Sequence, residues 1–485
     1  MISPENKFDY APAPESKALA SIASDYGLFI NGKFQSPHSK KRFESINPAT
    51  EETLSKVSFA DEVDVDKAVK AARAAYTKVW SKLSGKERAK YLFRIARLLQ
   101  ERSREFAVVE SLDNGKPIRE TRDVDVPLAA AHFFYHAGWA DKLEFAGFGE
   151  KPKPHGVVGQ VIPWNFPLLM LAWKVAPALA TGNTVVLKPA ETTPLTALLF
   201  AEICQQAELP AGVVNIITGD GRTGSALVKH KDVNKIAFTG STEVGKLIAA
   251  SVASSNTPVT LELGGKGANI VFEDAPIDQA VEGIVNGIFF NQGHVCCAGS
   301  RLLLQENIHD EFLHKLQIRM SKIRVGDPLD KNTDLGAINS AAQLAKIREL
   351  TKSGESEGAQ IWSAPCELPQ RGFWFAPTVF TGVTQAHRIA REEIFGPVLS
   401  VLTFRTPQEA IEKANNTPFG LSAGVWTDKG SRILWASNQL KAGVIWANTF
   451  NKFDPASPFG GYKESGWGRE GGRHGLSSYI KGAHS

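Results

Sequence analysis

Short apolar segments alternate with longer amphipathic ones between residues 156 and 263, and this alternation limits the fold more than any other feature. The short segments have the length and β-branched content of strands, and the longer ones repeat apolar residues at helical spacing. Strands are predicted at residues 156–162, 184–187, 213–218, 235–238 and 258–263. Helices are predicted at residues 167–180, 194–207, 222–229 and 242–253. The alternation predicts right-handed βαβ units around a buried parallel sheet, and therefore an α/β fold.

The same pattern restarts after Gly267 and predicts a second α/β domain. A chain of 485 residues is too long for one ordinary core, so two or three domains are expected. The second domain is expected to have strands at 268–272 and 301–304 and helices at 277–290 and 308–323.

The two ends of the chain are less regular. Asn31-Gly32 marks a hairpin at residues 28–34, and helical spacing predicts helices at 61–80 and 87–104. The polar, Pro-rich N-terminus is predicted to be an irregular arm. The tail at 457–485 is rich in Gly and charge, and it is predicted to be a coil with a short closing segment.

Composition excludes several functional classes. The 55 basic and 51 acidic residues leave a formal charge of +4, which is too weak to indicate nucleic-acid binding. No apolar run reaches the roughly 18 residues of a membrane span, and residues 1–16 do not resemble a secretory signal. The cysteines at 204, 296, 297 and 366 match neither a disulfide framework nor a metal spacing. We therefore expect a cytoplasmic protein with no metal, nucleic acid or membrane partner.

Two adjacent cysteines, Cys296 and Cys297, follow a Gly-containing turn that ends the predicted helix 277–290. At such a turn a thiolate can face a cleft and lie near backbone N–H groups, which suits a nucleophile. The residues alone leave either sulfur eligible.

Two polar side chains could complete acyl-transfer chemistry with a thiol. Glu262 lies between two leucines near the end of the strand 258–263, where burial would raise its pKa towards that of a general base. A structural acid in a salt bridge also fits this position. Asn165 stands between Pro163 and Pro167 at a strand-to-helix turn, where its amide could donate to an oxyanion or cap the next helix.

A strand–turn–helix junction at residues 235–245 predicts a phosphate site, because backbone N–H groups and the positive helix end meet there. Its spacing is neither the Gly-x-Gly-x-x-Gly fingerprint nor a P-loop, and an ordinary N-cap at Ser241 fits as well. Lys188 and Glu191 follow the strand 184–187, where they could bond a ribose diol or form an exposed ion pair. The Glu191 carboxylate would repel a 2′-phosphate, which favours NAD over NADP.

Five motifs, in this order, resemble those of the NAD(P)-dependent aldehyde dehydrogenase superfamily. They are residues 163–167, 238–245, 261–265, 290–299 and 392–397. The similarity extends from about Asp25 to Lys481. It implies a Rossmann-like parallel-sheet coenzyme domain at 25–131 and 152–264, a catalytic α/β domain at 265–459, an irregular arm at 1–24, and a small, shortened oligomerisation arm at 132–151 and 460–485.

The resemblance implies NAD-dependent oxidation of an aldehyde through a thiohemiacetal, hydride transfer and a hydrolysed thioester. Cys296 matches the nucleophile, and Cys297 matches a position in the pocket wall. Asn165 matches the side-chain donor to the oxyanion, with the Cys296 backbone N–H as its partner. Glu262 matches the base that activates water, and Glu470 matches an acid that helps to move protons.

Two further sets of residues match binding positions of the family. The cofactor-binding set is Ile162, Trp164, Lys188, Glu191, Gly240, Ser241, Gly245, Glu393 and Phe395. The substrate-pocket set is Phe166, Met170, Trp173, Cys297, Phe453 and Phe459. Simple core packing would use the same aromatic residues. The expected ligands are an aldehyde and NAD, with NADP less favoured.

The chain departs from the family pattern in several places. His294 stands where the family usually has Gln or Glu; an influence on the thiol is one reading, but we expect a surface position of no special role. The segment between Lys142 and Gly156 is shorter than in tetrameric members, and the chain stops at Ser485, so a homodimer is expected. Residues 9–16 are similar to a minor branch whose members often carry a second, degenerate dehydrogenase-like region, which this chain lacks.

Two alternative functions fit the same fold. A CoA-linked acylating dehydrogenase is one, but that branch generally lacks the acid at Glu262. A non-catalytic NAD-binding scaffold is the other, but it would not need Cys296, Asn165 and Glu262 together. The sequence therefore favours the hydrolytic enzyme.

Overall fold

A computed structural model describes residues 11–149 and 151–482. Residues 1–10, 150 and 483–485 lie outside the described residues, and they include parts of the predicted N-terminal and oligomerisation arms. Two large sheets with helices packed around them form the body of the molecule. This arrangement confirms the predicted α/β class. The limits of the predicted functional domains stay a prediction.

The first sheet has eight strands within the described residues, and its centre is the predicted parallel sheet. Five neighbouring strands run parallel in continuous register, with Ile236 opposite both Val259 and Gly159. The predicted hairpin is present at one edge, and its turn residues Asn31 and Gly32 have positive φ values of 54° and 78°. The strands in spatial order are Gly466–Trp467, Val259–Glu262, Lys235–Thr239, Val157–Val161, Thr184–Lys188, Val214–Ile216, Leu28–Ile30 and Lys33–Gln35.

The second sheet has seven strands in the described part of the chain, and the earliest of them, Ala268–Val271, follows the first-sheet strand Val259–Glu262 in the chain. All neighbouring strands are parallel except the pair at the Gln360–Ser363 edge, which is antiparallel. The strands in spatial order are Gln360–Ser363, Thr378–Thr381, Val398–Phe404, Arg301–Gln305, Ala268–Val271, Ser422–Trp426 and Val444–Ala447. Parallel strands in the same sheet point their carboxyl ends to one edge, which is where ligands bind in open α/β sheets.

Side-chain caps begin several of the helices. Asp61 and Ser84 each form a capping box on the helix that follows. The prediction of a single helix at 87–104 is wrong at its end, because Arg102, with a ψ of 17°, is not helical and separates two helices. The α-helices are Glu62–Lys78, Gly85–Glu101, Ser103–Asn114, Ile118–Glu120, Val126–Trp139, Pro167–Ala180, Leu195–Gln206, Gly221–Val228, Thr242–Val252, Ile277–Phe289, His309–Met320, Ala341–Ser356, Arg388–Arg391, Pro407–Asn415, Gly430–Gln439 and Gly472–Ser477.

The tail is more ordered than the predicted coil. Gly466–Trp467 pairs antiparallel with Val259–Glu262 and becomes the edge of the first sheet. Ile480–Lys481 pairs with Lys153–Pro154. Arg473 Nη1 donates to the Ala146 carbonyl oxygen at 2.9 Å, so the two predicted oligomerisation segments are in contact. The remaining short strands are Asp25–Tyr26, Arg42–Ile46, Thr53–Ser58, Phe419–Gly420 and Tyr462–Lys463. Among the described helices, none is both long and apolar enough to cross a membrane.

Candidate active site

An open cavity of about 1060 Å³ lies where the carboxyl end of the first sheet faces the second sheet. It brings together most of the residues singled out in the sequence. Those that line it are Trp164, Asn165, Phe166, Met170, Trp173, Gly240, Ser241, Glu262, Cys296, Cys297, Glu393, Phe395, Phe453, Phe459 and Glu470. The four predicted cofactor residues outside this lining are Ile162, Lys188, Glu191 and Gly245.

The turn before the two cysteines, which we call the nucleophile turn (residues 290–296), has an unusual backbone. The helix Ile277–Phe289 ends, and Asn291, Gln292 and Gly293 then take positive φ values of 48°, 54° and 75° in succession. A Cβ on Gly293 would overlap the Gly396 carbonyl oxygen, so this position requires glycine. The reversal of the chain places Cys296 in the cavity wall.

The two thiols have different environments. Cys296 is half-buried and lines the cavity, whereas Cys297 is fully buried with its Sγ 4.0 Å from Asn451 Oδ1. The adjacent Cys297 thiol, together with burial, raises the pKa of the Cys296 thiol well above its ordinary value. The Cys296 thiol is therefore protonated at rest, and its reaction requires a base nearby.

The Asn165 amide lies against the nucleophile turn. Asn165 Nδ2 donates to the His294 carbonyl oxygen at 2.8 Å, and Asn291 Nδ2 donates to the Asn165 carbonyl oxygen at 2.7 Å. The helix Pro167–Ala180 has no side-chain cap, so Asn165 does not perform the alternative capping role. The Asn165 amide instead lies beside the segment that leads to Cys296.

Glu262 is buried at the carboxyl end of its strand, with 4% of the residue exposed. Among the described residues, neither of its carboxylate oxygens has a hydrogen-bond partner, so the salt-bridged alternative does not hold there. Burial, and next the negative charge of Glu470, raise the pKa of Glu262 well above its ordinary value. This is the environment of a carboxyl that can act as a general base near neutral pH.

Glu470 reaches the cavity from the tail and is ion-paired with Lys174. Its backbone exchanges hydrogen bonds with Phe459 at 2.7 and 2.8 Å, which fixes the tail beside the cavity. Lys174 lies in the helix Pro167–Ala180, where every residue is buried. Sequence reasoning missed Lys174, although a single lysine within an apolar helical run is a signal that it has a buried partner.

Beside them lies another buried lysine that the sequence did not single out. Lys235 Nζ donates to Thr260 Oγ1 at 3.2 Å. Burial lowers the pKa of Lys235 to about 7, and the Glu470 carboxylate opposes this shift. Glu262, Glu470, Lys174 and Lys235 therefore form one buried group of ionisable side chains around a single wall of the cavity.

The predicted cofactor residues lie along the carboxyl edge of the first sheet. Lys188 Nζ donates to Glu191 Oε2 at 3.0 Å; Lys188 is buried, and the Glu191 side chain is 49% exposed. The Ile162 backbone N–H donates to the Lys188 carbonyl oxygen at 3.1 Å and ties two strand ends together. An ammonium and a carboxylate at this edge fit the donor and acceptor pattern of a ribose diol.

The helix Thr242–Val252 begins at the cavity. Ser241 Oγ accepts from the Val244 backbone N–H at 3.3 Å, so Ser241 is the N-cap. Gly240 and Ser241 line the cavity beside the positive end of this helix, which suits an anionic phosphate. A Cβ on Gly245 would overlap the Leu263 side chain, so Gly245 allows this helix to pack closely against the end of the first sheet.

Two residues from the Glu392–Pro397 motif complete this side of the cavity. Glu393 is half-buried, its Oε1 accepts from the Gly265 backbone N–H at 2.9 Å, and burial raises the pKa of its carboxyl. Phe395 has a positive φ of 56°, and Gln343 Nε2 donates to its carbonyl oxygen at 2.8 Å. Gln343, which the sequence did not single out, thus holds Phe395 in the cavity wall.

The expectation of a surface position for His294 is wrong. His294 is fully buried, with its ring centroid 4.8 Å from that of Trp164 and 5.9 Å from that of Phe395. The nucleophile turn inserts the side chain between two residues of the cavity wall. Burial lowers the pKa of His294 to about 3, so the imidazole is neutral.

The predicted substrate-pocket residues form an aromatic chamber on the other side of Cys296. The Trp173 ring centroid is 5.2 Å from that of Phe459, and Phe453 is 6.0 Å from Phe459. Leu169, Phe290, Val124 and Asp125 also line the cavity and were not predicted. The chamber suits an apolar substrate with a polar reacting end. Among the described residues, no group of three or more His, Cys, Asp or Glu side chains is arranged to hold a metal ion.

Comparison with known protein families agrees with this geometry. The model of the aldehyde dehydrogenase family matches residues 34–484. A putative aldehyde dehydrogenase, DhaS, of Bacillus subtilis (strain 168) is 47% identical over 465 residues, covering 94% of each chain. Human retinal dehydrogenase 2 is 46% identical over 467 residues, covering 94% of this chain and 90% of the relative.

Solved structures give the same result. The NAD⁺ complex of an aldehyde dehydrogenase from Bacillus cereus superposes with a TM-score of 0.93 at 42% identity, covering 97% of this chain and 98% of that one. An indole-3-acetaldehyde dehydrogenase with NAD⁺ superposes with a TM-score of 0.92 at 40% identity, covering 95% and 96%. The family predicted from the sequence motifs is confirmed: the chain belongs to the aldehyde dehydrogenase family.

Proposed function

We propose that this chain oxidises an aldehyde to a carboxylate with NAD, through a thiohemiacetal and a hydrolysed thioester on Cys296. The observation that carries the proposal is the convergence of a thiol, a buried carboxyl with a raised pKa and a side-chain amide in one cavity. These three groups suffice for acyl-enzyme chemistry on a carbonyl carbon.

The first step is addition of Cys296 Sγ to the aldehyde carbonyl carbon. The C–S bond forms, and the carbonyl oxygen gains the electron pair of the C=O π bond. The Asn165 amide and the Cys296 backbone N–H are the donors for that oxygen. The hydrogen bond from Asn165 Nδ2 to this oxygen then replaces its bond to the His294 carbonyl oxygen. The proton of the Cys296 thiol leaves to a base of the cavity, for which Glu262 is the candidate.

The residues that would hold NAD are Lys188 and Glu191 at the ribose, Ser241 and Trp164 at the pyrophosphate, and Glu393 at the nicotinamide ribose. NAD bound there would supply the acceptor for the hydride that the thiohemiacetal carbon loses. The half-exposed Glu191 carboxylate supports a preference for NAD, because it would repel the 2′-phosphate of NADP.

Hydrolysis of the thioester completes the reaction. Once Glu262 has released the thiol proton, it takes a proton from water, and the resulting hydroxide attacks the thioester carbon. The C–S bond then breaks to release the carboxylate and the Cys296 thiol. The Glu470–Lys174 pair lies beside Glu262 and can receive that proton on its way out of the cavity. Burial of both carboxyls keeps bulk water from competing for these protons.

The test compares Cys296→Ala with Cys297→Ala. We expect Cys296→Ala to lose NADH production by at least about three orders of magnitude while still binding NAD, and Cys297→Ala to keep most of it. NADH fluorescence over a panel of aliphatic, aromatic, amino and semialdehyde substrates measures the activity of both variants. Residual activity of Cys296→Ala near the wild-type rate would overturn the proposal. Activity that depends on added CoA would instead support an acylating dehydrogenase. NAD binding without turnover of any aldehyde would support a non-catalytic scaffold.

The proposed setting is a homodimer in the cytoplasm. The cysteines at 204, 296, 297 and 366 are all free, which supports a reducing compartment. Exposed apolar residues on the helix Thr242–Val252 support an interface with a second copy.

A further inference from the structure

Four ionisable side chains are buried beneath the active-site turns, and we call them the buried charge cluster: Glu110, Lys116, Glu120 and Asp125. Glu110 lies in the helix Ser103–Asn114, the other three lie between this helix and the helix Val126–Trp139, and none of the four is more than 7% exposed. Lys116 Nζ lies 3.6 Å from Glu110 Oε1 and forms an ion pair with Asp125. Since a lysine and carboxylates tolerate such burial only as partners of one another, removing the lysine leaves its neighbours uncompensated.

Two carboxylates of the cluster bind the active-site turns directly. Glu110 Oε2 accepts from the Leu168 backbone N–H at 3.2 Å, in the first turn of the helix that follows Asn165. Glu120 Oε2 accepts from the Asn291 backbone N–H at 2.9 Å, at the start of the nucleophile turn. The cluster therefore contacts both segments that carry the proposed oxyanion donors.

Lys116 is central to this arrangement. Its Nζ lies 4.0 Å from the ring centroid of Phe166, the residue after Asn165. Burial raises the pKa of Glu110 and of Glu120 to about 8, and in both cases the Lys116 charge opposes the shift. One ammonium thus acts on both carboxyls that hold the two turns.

The two turns are also bonded to each other. Asn291 Nδ2 donates to the Asn165 carbonyl oxygen, and Asn165 Nδ2 donates to the His294 carbonyl oxygen. A shift of either turn therefore changes the position of the Asn165 amide relative to the Cys296 backbone N–H. These are the two donors that must converge on one oxygen atom.

We propose that Lys116 is a positioning residue for the oxyanion site, acting through Glu110, Asp125 and Phe166 on the spacing of the two turns. Lys116 is fully buried and acts on the reacting carbonyl only through these neighbours. The proposal rests on the proposed function, because it takes Cys296 as the nucleophile and Asn165 as an oxyanion donor.

The test compares two reactions of the Cys296 thiol in the holoprotein chain. Acylation by a p-nitrophenyl ester forms the S–acyl bond, breaks the ester C–O bond and releases p-nitrophenolate; the thiol proton passes to solvent. This acylation reaction passes through an oxyanion intermediate. Alkylation by iodoacetamide forms an S–C bond and releases iodide, and it involves no oxyanion. The ratio of the two rates therefore reports the oxyanion site separately from the reactivity of the thiol.

We expect Lys116→Met to lower the acylation rate by up to about 100-fold, the loss for a misplacement of about 1 Å, and to leave alkylation within about twofold. Lys116→Arg should restore most of the ratio, because it restores the charge. A folded Lys116→Met enzyme with the wild-type ratio would overturn the proposal. If Lys116→Met does not fold, Glu110→Gln replaces it: a lowered ratio is expected, and an unchanged ratio overturns the proposal.

Asp113→Asn is the matched control. Asp113 is a buried carboxyl on the same helix as Glu110, but it accepts from the Leu195 backbone N–H at 2.9 Å and from Ser45 Oγ. The Asp113→Asn variant should have a lower melting temperature and an unchanged ratio of the two rates. A ratio lowered as far as in Lys116→Met would show general destabilisation and overturn the proposal. Ester acylation that persists in Cys296→Ala would instead contradict the proposed function.

Discussion

The reactivity of Glu262 depends on how it is buried. Its carboxyl ends the strand next to one edge of the first sheet, and both burial and the neighbouring Glu470 carboxylate raise its pKa, while the Lys174 ammonium opposes this shift. A carboxyl with a raised pKa is a stronger base once ionised, but it is ionised over less of the pH range. The Lys174–Glu470 ion pair therefore tunes a balance between the strength of the base and its availability.

This balance predicts a pH dependence. Only the ionised carboxylate can take a proton from water, so the steady-state rate should rise with pH through the raised pKa of Glu262. Glu262→Gln should remove that rise and lower kcat by about 10²- to 10⁴-fold. Because Glu262 is also the proposed acceptor of the Cys296 thiol proton, the first burst of NADH should slow as well. Stopped-flow NADH fluorescence across neutral and alkaline pH measures both phases.

The control for this prediction is Glu62→Gln, an exposed acid in the first turn of a helix far along the chain from the cavity. Its pH profile should match that of the wild type. If Glu262→Gln keeps the wild-type rise and rate, another group is the base. The carboxyl would then be a structural acid, as the sequence alone allowed.

The sequence predicted those site residues that stand in local motifs. Cys296, Asn165 and Glu262 each follow a turn or end a strand, and a short stretch of chain shows this. Lys174 was missed because its partner Glu470 is 296 residues away, and local patterns do not show such pairs. The burial of His294 was missed for the same reason, since Trp164 and Phe395 enclose it from distant turns.

The nucleophile turn is an element held in an unfavourable conformation. Asn291 and Gln292 have left-handed backbones, which cost about 1–3 kcal/mol each unless the surroundings enforce them. Hydrogen bonds enforce them here: Asn291 N–H donates to Glu120, and Gln292 Nε2 donates to the Ala337 carbonyl oxygen at 2.9 Å. The position of Cys296 therefore depends on groups from several other segments.

Gly293→Ala tests this turn. Its φ of 75° and the close Gly396 carbonyl leave no room for a Cβ, so the turn must shift. We expect a loss of about 1–3 kcal/mol in the free energy of unfolding and at least about a tenfold loss of kcat. Thermal melting and NADH production measure the two effects.

Gly138→Ala is the matched control for Gly293→Ala. Gly138 lies in the helix Val126–Trp139, and a Cβ there would meet no atom within 4 Å. Alanine should stabilise this helix by up to about 1 kcal/mol and leave kcat unchanged. Wild-type activity and stability in Gly293→Ala would mean that the turn tolerates a different backbone than the one described.

Most elements could be predicted from periodicity, because each buries one continuous face or run. The helix Pro167–Ala180 has the predicted bounds, and the strand Lys235–Thr239 differs by one residue. The strand Gly466–Trp467 could not be predicted, because two residues have no periodicity and only pairing with Val259–Glu262 makes them a strand. The tail is thus ordered by tertiary contacts and not by its own composition.

At the scale of the molecule, the cavity exists because the chain crosses between the sheets more than once. It leaves the first sheet at Glu262 and enters the second at Ala268, and the tail returns at Gly466 to the edge of the first sheet. The reacting groups therefore come from both sheets and from the tail. A relative movement of the two sheets would change the distances between the reacting groups. Pairing of the tail with the first sheet opposes such a movement.

The outer surface supports the proposed dimer. On the helix Thr242–Val252, Val244 is 42% exposed and Leu247 is 63% exposed, and the three-residue spacing places them on one face. Trp467, 49% exposed at the edge of the first sheet, is another large apolar residue at the surface. Apolar residues grouped on one face are typical of a surface covered by a partner.

The chain should therefore have twice its mass of 52.6 kDa in light scattering. Leu247→Glu should shift it towards the monomer at low concentration, because a charge in an apolar interface loses its hydration without gaining a partner. Ile318→Glu, at a position 46% exposed on the helix His309–Met320, is the control and should leave the mass unchanged. Since Cys296, Glu262 and Asn165 all line the cavity of the same chain, the dissociated Leu247→Glu enzyme should still produce NADH. A wild-type monomer would contradict the dimer, and an undisturbed Leu247→Glu dimer would place the interface on another face.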